Sequence, residues 1–132
     1  MILHYELRTH HPTRTGNQYV IVDDDGAIRA HQNLRDPAPG EAWTVAPANA
    51  KIGQLADPRA RIEATLRQAG FFDLPPLTES LTTQGGVIRT LTFVAADGTH
   101  RTVTVDRARA PTFDAVVRQV LDALAIADIP AR

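Results

Sequence analysis

The sequence lacks cysteine altogether and holds a single serine, a single lysine and a single tryptophan. Without cysteine, the chain can form no disulfide framework, no thiolate nucleophile and no zinc site built on thiolates. The one serine, Ser80, lies outside any G-x-S-x-G elbow, and no glycine-rich phosphate loop occurs. These absences argue against cysteine hydrolases, serine hydrolases and P-loop enzymes.

Neither sign of charge dominates the chain, and long apolar runs are missing. Fourteen Lys and Arg residues stand against fifteen Asp and Glu residues, which leaves a formal charge of -1. Binding to nucleic acid or to anionic membranes requires a basic surface that this balance does not provide. No eighteen apolar residues run together, and residues 1–6 lack the basic segment of a signal peptide. We therefore expect a cytoplasmic protein that binds neither nucleic acid nor membrane.

The length and composition are those of one packed domain. The chain has 132 residues, of which 43% are hydrophobic and 22% are charged. These values are close to the averages of soluble globular domains, and the length suits a single core. Residues 1–132 are therefore interpreted as one domain. No cofactor is predicted.

A β-hairpin is predicted around the first Asp-Gly pair, and its apolar pattern decides the register. A three-residue loop at 24–26 pairs Val22 with Ile28 and Val20 with Ala30, which places all four on one face. A two-residue loop would pair the same valines with Arg29 and His31 instead. The three-residue loop is therefore preferred, with its glycine in the left-handed conformation.

A second hairpin is predicted, with a loop of the same length. A three-residue loop at 96–98 pairs Leu91 with Val103, so that the apolar residues of both strands share a face. Residues 3–9 also alternate between apolar and polar, as a half-buried strand does. Together these segments predict an antiparallel sheet of four to five strands with one face buried.

Two helices are predicted to cover that face, which gives an α+β fold. Asp57 is a suitable N-cap, Pro58 suits a first helical position and Gly70 suits the position after the last, so residues 58–69 should be helical. The second helix starts at residue 111 or 112 and has the clearest 3.6-residue apolar spacing in the chain. A further short helix is expected within residues 47–55.

Metal-binding patterns are weak. The adjacent aspartates at 23–25 do not match the alternating ligands of an EF-hand loop, so we interpret them as a solvated turn. The five histidines show no H-x-x-x-H or H-E-x-x-H spacing and are interpreted as surface residues. A site assembled in space from His4, His31 and Asp23 stays open as an alternative, and no metal is predicted.

One segment carries a resemblance to known proteins. Gly70-Phe71-Phe72-Asp73-Leu74-Pro75 closes the first helix and precedes a polar loop, a strand, Asp97-Gly98, another strand and a terminal helix. In this order the chain resembles the emfourin-like family of small bacterial proteins, named after a proteinaceous inhibitor of thermolysin-like metalloproteases. It is also similar to an uncharacterised bacterial domain family with a hairpin before the same element, here Tyr19 to Gly26.

The resemblance covers residues 55–124 and implies an α+β sandwich and protease inhibition. The family has a glycine pattern near its N-terminus, whereas this chain has Arg14-Thr15-Gly16-Asn17 at the comparable strand entry. From the residues and the resemblance together, we predict a non-catalytic protein-binding module whose partner is another protein, with a protease as the implied partner class. Long loops on a rigid sheet suit such binding, and the expected contact residues are Trp43, Arg14 and Asn17. An alternative for Trp43 stays open, in which it alternates with Val45 on a short edge strand and packs on the core.

Two other functions stay open. The first is a small enzyme or ligand-binding protein with a pocket between the helices and the sheet, using His4, His31 or Asp106. The second is a structural subunit whose free strand edge pairs with a copy of itself or with a partner. A deep pocket with a converging His and carboxylate would favour the enzyme.

Overall fold

The computed structural model describes residues 1–9, 18–32, 51–80 and 86–126, and within these ranges it has seven strands and two helices. The strands are β1 (Leu3–Thr9), β2 (Gln18–Val22), β3 (Ala27–Gln32), β4 (Lys51–Gln54), β5 (Leu77–Glu79), β6 (Val87–Val94) and β7 (His100–Asp106). The helices are α1 (Pro58–Ala69) and α2 (Pro111–Ala123), and a turn of 3-10 helix (Phe71–Asp73) follows α1. The predicted α+β class is confirmed.

All seven strands form one sheet in the order β4-β3-β2-β1-β6-β7-β5. Neighbouring strands are antiparallel except for β5, which runs parallel to β7. The prediction of four to five antiparallel strands is therefore wrong in number and in one pairing. The two additional strands are the edge strands β4 and β5, of four and three residues, which are too short to show an alternating pattern. The first of them replaces the short helix expected within residues 47–55.

Both predicted hairpin registers are confirmed. Val22 pairs with Ile28 and Val20 with Ala30 in the first hairpin, and Leu91 pairs with Val103 in the second. The glycines that close the two turns have φ values of 89° and 88°, the left-handed conformation that the three-residue loop requires. Apolar alternation therefore determined the pairing correctly in each hairpin.

β1 joins the two hairpins into one sheet because it lies between β2 and β6. Leu3 pairs with Val22 on one side and with Phe93 on the other. These three side chains are almost fully buried and face the helices. The central strand thus aligns the apolar rows of both hairpins into one continuous surface.

α1 has the predicted bounds, and only its N-cap differs from the expectation. Asp57 has φ 47° and ψ 55° and makes no side-chain capping hydrogen bond, because a capping side chain requires an extended backbone. At the other end Gly70 has φ 88°, and its N–H donates to the carbonyls of Arg67 and Leu66. The glycine therefore terminates the helix as predicted.

The helices cover one face of the sheet and form the core with it. The burial of Ile62 and Leu66 on α1 and of Phe113, Val117 and Val120 on α2 places their apolar stripes against the strands. The inward-facing strand residues belong to the same cluster; they include Leu3, Tyr5, Val20, Val22, Ile28, Ala30, Leu91, Phe93, Val103 and Val105.

The opposite face of the sheet is not uniformly polar. Tyr19, Ile21 and His31 are buried there, outside the core cluster, and the Tyr19 ring meets the His31 ring edge-on at 5.8 Å between centroids. The interpretation of His31 as a surface residue is therefore wrong. In the described ranges, neither helix has the length and apolar character needed to cross a membrane.

Candidate protein-binding surfaces

Six strand ends that border connections between strands lie at one end of the sheet, together with the last residue of β7, and we call this the loop end. The chain leaves β1 at Thr9, β3 at Gln32 and β5 at Glu79. It re-enters the sheet at Gln18, Lys51 and Val87, the first residues of β2, β4 and β6. The observed pairings place these residues at the same end, since Thr9 pairs with Val87, Gln18 with Gln32 and Glu79 with Asp106. The three pairs are joined by the pairings of β1 with β2 and of β6 with β7, and Lys51 pairs with Arg29, three residues before the end of β3. The opposite end, which we call the turn end, carries the two short hairpin turns.

The connections at the loop end contain the residues expected at a protein interface. Arg14 and Asn17 belong to the connection between β1 and β2, and Trp43 belongs to the connection between β3 and β4. All three lie outside the described residues, so their status as contact residues stays a prediction. The strands that flank these connections lie within the described residues.

The aspartate turn at 23–25 is occupied by structural contacts. Asp23 accepts two hydrogen bonds from the Arg29 guanidinium, each of 3.0 Å. Asp24 accepts one from the N-terminal ammonium at 2.8 Å, and this contact lowers the pKa of the Asp24 carboxyl. Asp25 accepts the N–H of Ala27 at 2.9 Å. In the part of the chain that the structure describes, no three His, Asp or Glu side chains are placed to hold a metal ion.

The residues that an enzyme would use do not converge. His4 and His31 lie on β1 and β3 with β2 between them and are offset by two residues, which separates them by about 12 Å. Both are on the face opposite the helices, where His4 is 4.0 Å from Glu6. Asp106 lies on β7 and holds Arg107 at 2.8 Å. The structure therefore does not bring His4, His31 and Asp106 together in one pocket.

Burial and one arginine dominate the electrostatics under α2. The guanidinium of Arg89 binds the Asp114 carboxylate, donates to the Ala108 carbonyl at 2.8 Å and lies 5.6 Å from the Phe113 ring centre. Tyr5 lies in the same region, and burial raises the pKa of its hydroxyl to about 12. These contacts attach the first turn of α2 to the sheet, so we interpret them as contacts that stabilise the fold.

Two apolar pockets adjoin the helices, besides a third pocket on α2 that is lined by Asp114, Arg118 and Asp122. One of about 260 Å³ lies between α1 and α2 and is lined by Leu55, Ile62 and Val120, among others, with Arg61 as its cationic member. The other, of about 230 Å³, lies between β5, β7 and the start of α2, with Arg109 as its cationic member. Neither pocket is lined by a histidine or a carboxylate, which argues against acid–base catalysis in either.

The second pocket adjoins an open sheet edge that the sequence did not reveal. Three residues, Leu77, Thr78 and Glu79, form the edge strand β5, and Leu77 is 52% exposed. Two prolines precede this strand, and it has only three residues. Its sequence is therefore typical of an ordinary loop. No alternating apolar pattern marks it in the sequence, since Leu77 is followed by the polar residues Thr78, Glu79 and Ser80.

Comparisons of this chain with protein-family models, with curated proteins and with solved structures found no match.

Proposed function

We propose that this chain is a non-catalytic protein-binding module that contacts another protein with the connections at its loop end. The observation that carries the proposal is the convergence of six strand ends there. Three of the connections between consecutive strands therefore leave a single end of a seven-stranded sheet. At about 4.8 Å per strand, that end is about 29 Å wide, which is the scale of a protein interface.

A rigid sheet below the loops supports this proposal. The registers run without a shift through β3, β2, β1, β6 and β7, and the core cluster spans the whole helix-covered face. Binding residues are often carried on loops that a rigid scaffold positions. Such a scaffold keeps the entropic cost of binding low because the sheet itself does not have to be ordered on binding.

The separation of the ionisable residues favours binding over catalysis. A general acid or base must lie within hydrogen-bond reach of a substrate that also occupies a pocket. His4 and His31 face away from both pockets, and Asp106 is engaged by Arg107.

The proposed contact residues are Trp43, Arg14 and Asn17. Tryptophan and arginine are the residue types most often responsible for binding energy at protein interfaces. We expect Trp43 to contribute most, because its indole can bury a large apolar area and also donate a hydrogen bond. The chain and its partner would meet in the cytoplasm, the compartment that the sequence favours.

A narrower form of the proposal is protease inhibition, which comes from the resemblance around Gly70 to Pro75. An inhibitor of this kind would insert loops from the loop end into the active-site cleft of a protease. Little movement of the sheet would be needed, as in most complexes between pre-organised partners.

Affinity capture from a lysate of the source organism tests the module. The baits are the wild-type chain, Trp43→Ala and the control Arg118→Ala, since Arg118 is exposed on α2 and belongs to none of the three connections at the loop end. A single stoichiometric protein retained by the wild type and the control but lost with Trp43→Ala supports the proposal. Its binding is then measured with both proteins purified. The proposal fails if a folded wild-type bait retains no protein, or if Trp43→Ala retains the same one with unchanged affinity.

The narrower form has its own assay. A purified thermolysin-like metalloprotease is assayed on a peptide substrate with increasing amounts of the wild-type chain. Inhibition that Trp43→Ala relieves supports it, and undiminished activity at saturating concentrations rejects it while leaving the wider module to the capture experiment.

A further inference from the structure

The outer edge of β5 carries backbone polar groups that the sheet does not use. The Pro76 carbonyl accepts the Thr104 N–H at 2.9 Å, and the Ser80 N–H donates to the Asp106 carbonyl at 3.1 Å. Residues 76, 78 and 80 therefore direct their backbone toward β7, and by alternation Leu77 and Glu79 direct theirs away from it. In residues 1–9, 18–32, 51–80 and 86–126, no group bonds to the outward N–H and C=O groups of these two residues.

An apolar pocket lies beside this edge on the core face. Thr78 lines it because Thr78 pairs with Val105, which faces the core. Val103, Pro111 and Phe113 are among its apolar lining residues, and its volume is about 230 Å³. A strand added beside β5 would direct every second side chain toward this face. One of those side chains would therefore lie over the pocket.

The charges around the edge differ between the two faces. On the core face the exposed Arg109 lines the pocket, and no carboxylate of the described residues forms an ion pair with it. On the other face the exposed Glu79 lies opposite Asp106, whose carboxylate already binds Arg107. A bound strand would therefore meet a cation on the pocket side and an anion on the other.

We propose that this surface, the β5 edge groove, binds an extended peptide segment of a partner protein that carries an apolar residue and an acidic residue two positions apart. The segment adds a strand to the sheet through the outward backbone groups of Leu77 and Glu79, as in other β-augmentation complexes. It places an apolar side chain in the pocket and a carboxylate beside Arg109, two positions away, because residues i and i+2 of a strand share a face. A basic residue between them pairs with Glu79 across the strands.

A second copy of this chain fits the groove less well. If two β5 strands paired, the side chain that each offered to the other's pocket would be the hydroxyl-bearing Thr78 or one of its neighbours Pro76 and Ser80. None of these is acidic, so Arg109 would remain without a carboxylate. A strand of three residues also offers little self-complementary edge.

This inference depends on the proposed function only in that the ligand is a polypeptide. It concerns another surface, and the variants that test it differ from those of the loop end. Capture of a partner through Trp43 can therefore succeed while the groove binds no peptide, and the reverse can also occur.

The test is selection from a display library of random nine-residue peptides on the purified full-length chain, followed by anisotropy titration of the enriched peptides. Expected peptides carry an apolar residue and an Asp or Glu two positions apart. Arg109→Glu should weaken their binding by about tenfold or more, and selection on that variant should favour Lys or Arg at the acidic position. Arg118→Glu, an equally exposed arginine on α2, should leave binding unchanged, and circular dichroism checks that both variants fold.

Backbone pairing has a separate readout. N-methylation of the peptide amides one at a time should abolish binding at alternate positions only, because alternate amides face β5. The proposal is overturned if no peptide is enriched, if enriched peptides bind Arg109→Glu as tightly as the wild type, or if sedimentation shows that the free chain forms dimers that the peptides do not dissociate.

Discussion

Thr78 lies opposite Val105 in the parallel pairing of β5 with β7, so its side chain faces the core while those of Leu77 and Glu79 face away. This single pairing creates the β5 edge groove, because it places the pocket on one side of the edge and Glu79 on the other. Within the described residues, the sheet therefore has an edge whose outward backbone groups are unpaired, in addition to its loop end.

The turn at Gly26 is predicted to tolerate no side chain. Its φ is +89°, and a Cβ there would lie 2.1 Å from the Leu55 carbonyl oxygen, which is backbone and cannot move aside. Gly26→Ala should lower the free energy of unfolding by about 3 kcal/mol or more, measured by urea denaturation. Gly98→Ala is the matched control, since φ is +88° but no atom lies within 4 Å, and it should cost about 1 kcal/mol. Equal losses would show that the close approach to Leu55 has no effect.

Arg89 is predicted to be a stabilising residue of the α2 attachment. Arg89→Met removes the ion pair with Asp114 and the hydrogen bond to the Ala108 carbonyl, and should reduce stability by about 2 kcal/mol. Arg118→Met changes an exposed residue of α2, and its free energy of unfolding should stay within about 0.5 kcal/mol of the wild-type value. A thermal or urea unfolding series measures both, and an Arg89→Met protein as stable as the wild type contradicts the assignment.

The two phenylalanines after α1 should differ in their effect on stability. Phe71 is fully buried and contacts Phe72 edge-on at 5.2 Å between ring centres, so Phe71→Ala should cost about 3–5 kcal/mol. Phe72 is only half-buried, with Arg67 over its ring at 4.9 Å, and Phe72→Ala should cost less. Denaturant midpoints of the two variants decide the order, and a larger loss for Phe72→Ala would contradict the observed burial.

His4 should make the stability depend on pH in the mildly acidic range. Burial lowers the pKa of His4 below its ordinary 6.5, while Glu6 partly offsets this. The unfolded chain therefore takes up a proton first as the pH falls, and stability decreases from pH 6.5 down to the folded pKa. Across this range, the free energy of unfolding of His4→Gln should fall less with decreasing pH than that of the wild type. Glu6→Gln should steepen it, because removing the carboxylate lowers the pKa of His4 further. Identical pH profiles for the wild type and His4→Gln would disprove the role of His4.

The local sequence pattern was sufficient to predict the hairpins and the helices. Each hairpin register followed from keeping Val20 and Val22, or Leu91, on the buried face, and a one-residue slip would have exposed the whole set. The bounds of α1 followed from Pro58 and Gly70, whose backbone preferences act within one turn. These features depend on neighbours that are close in sequence.

The remaining features depend on partners far along the chain. β5 is a strand because the backbone of Thr78 pairs with β7, which is more than twenty residues away, and three residues contain too little pattern to predict that. His31 is buried on the second face beside Tyr19, although histidine near a hairpin end is typically exposed. Asp57 has the right residue type for a cap but a left-handed backbone. The groove at Arg109 combines β5, β7 and α2, and only the fold brings them together.

Hydrogen exchange of the backbone amides, with and without the captured partner, tests the central claim most directly. Binding at the loop end should slow exchange next to Thr9, Gln18 and Gln32, and should leave the amides of the turn end at 23–26 and 96–99 unchanged. Slowed exchange confined to the turn end or to the outer surfaces of α1 and α2 would contradict the account.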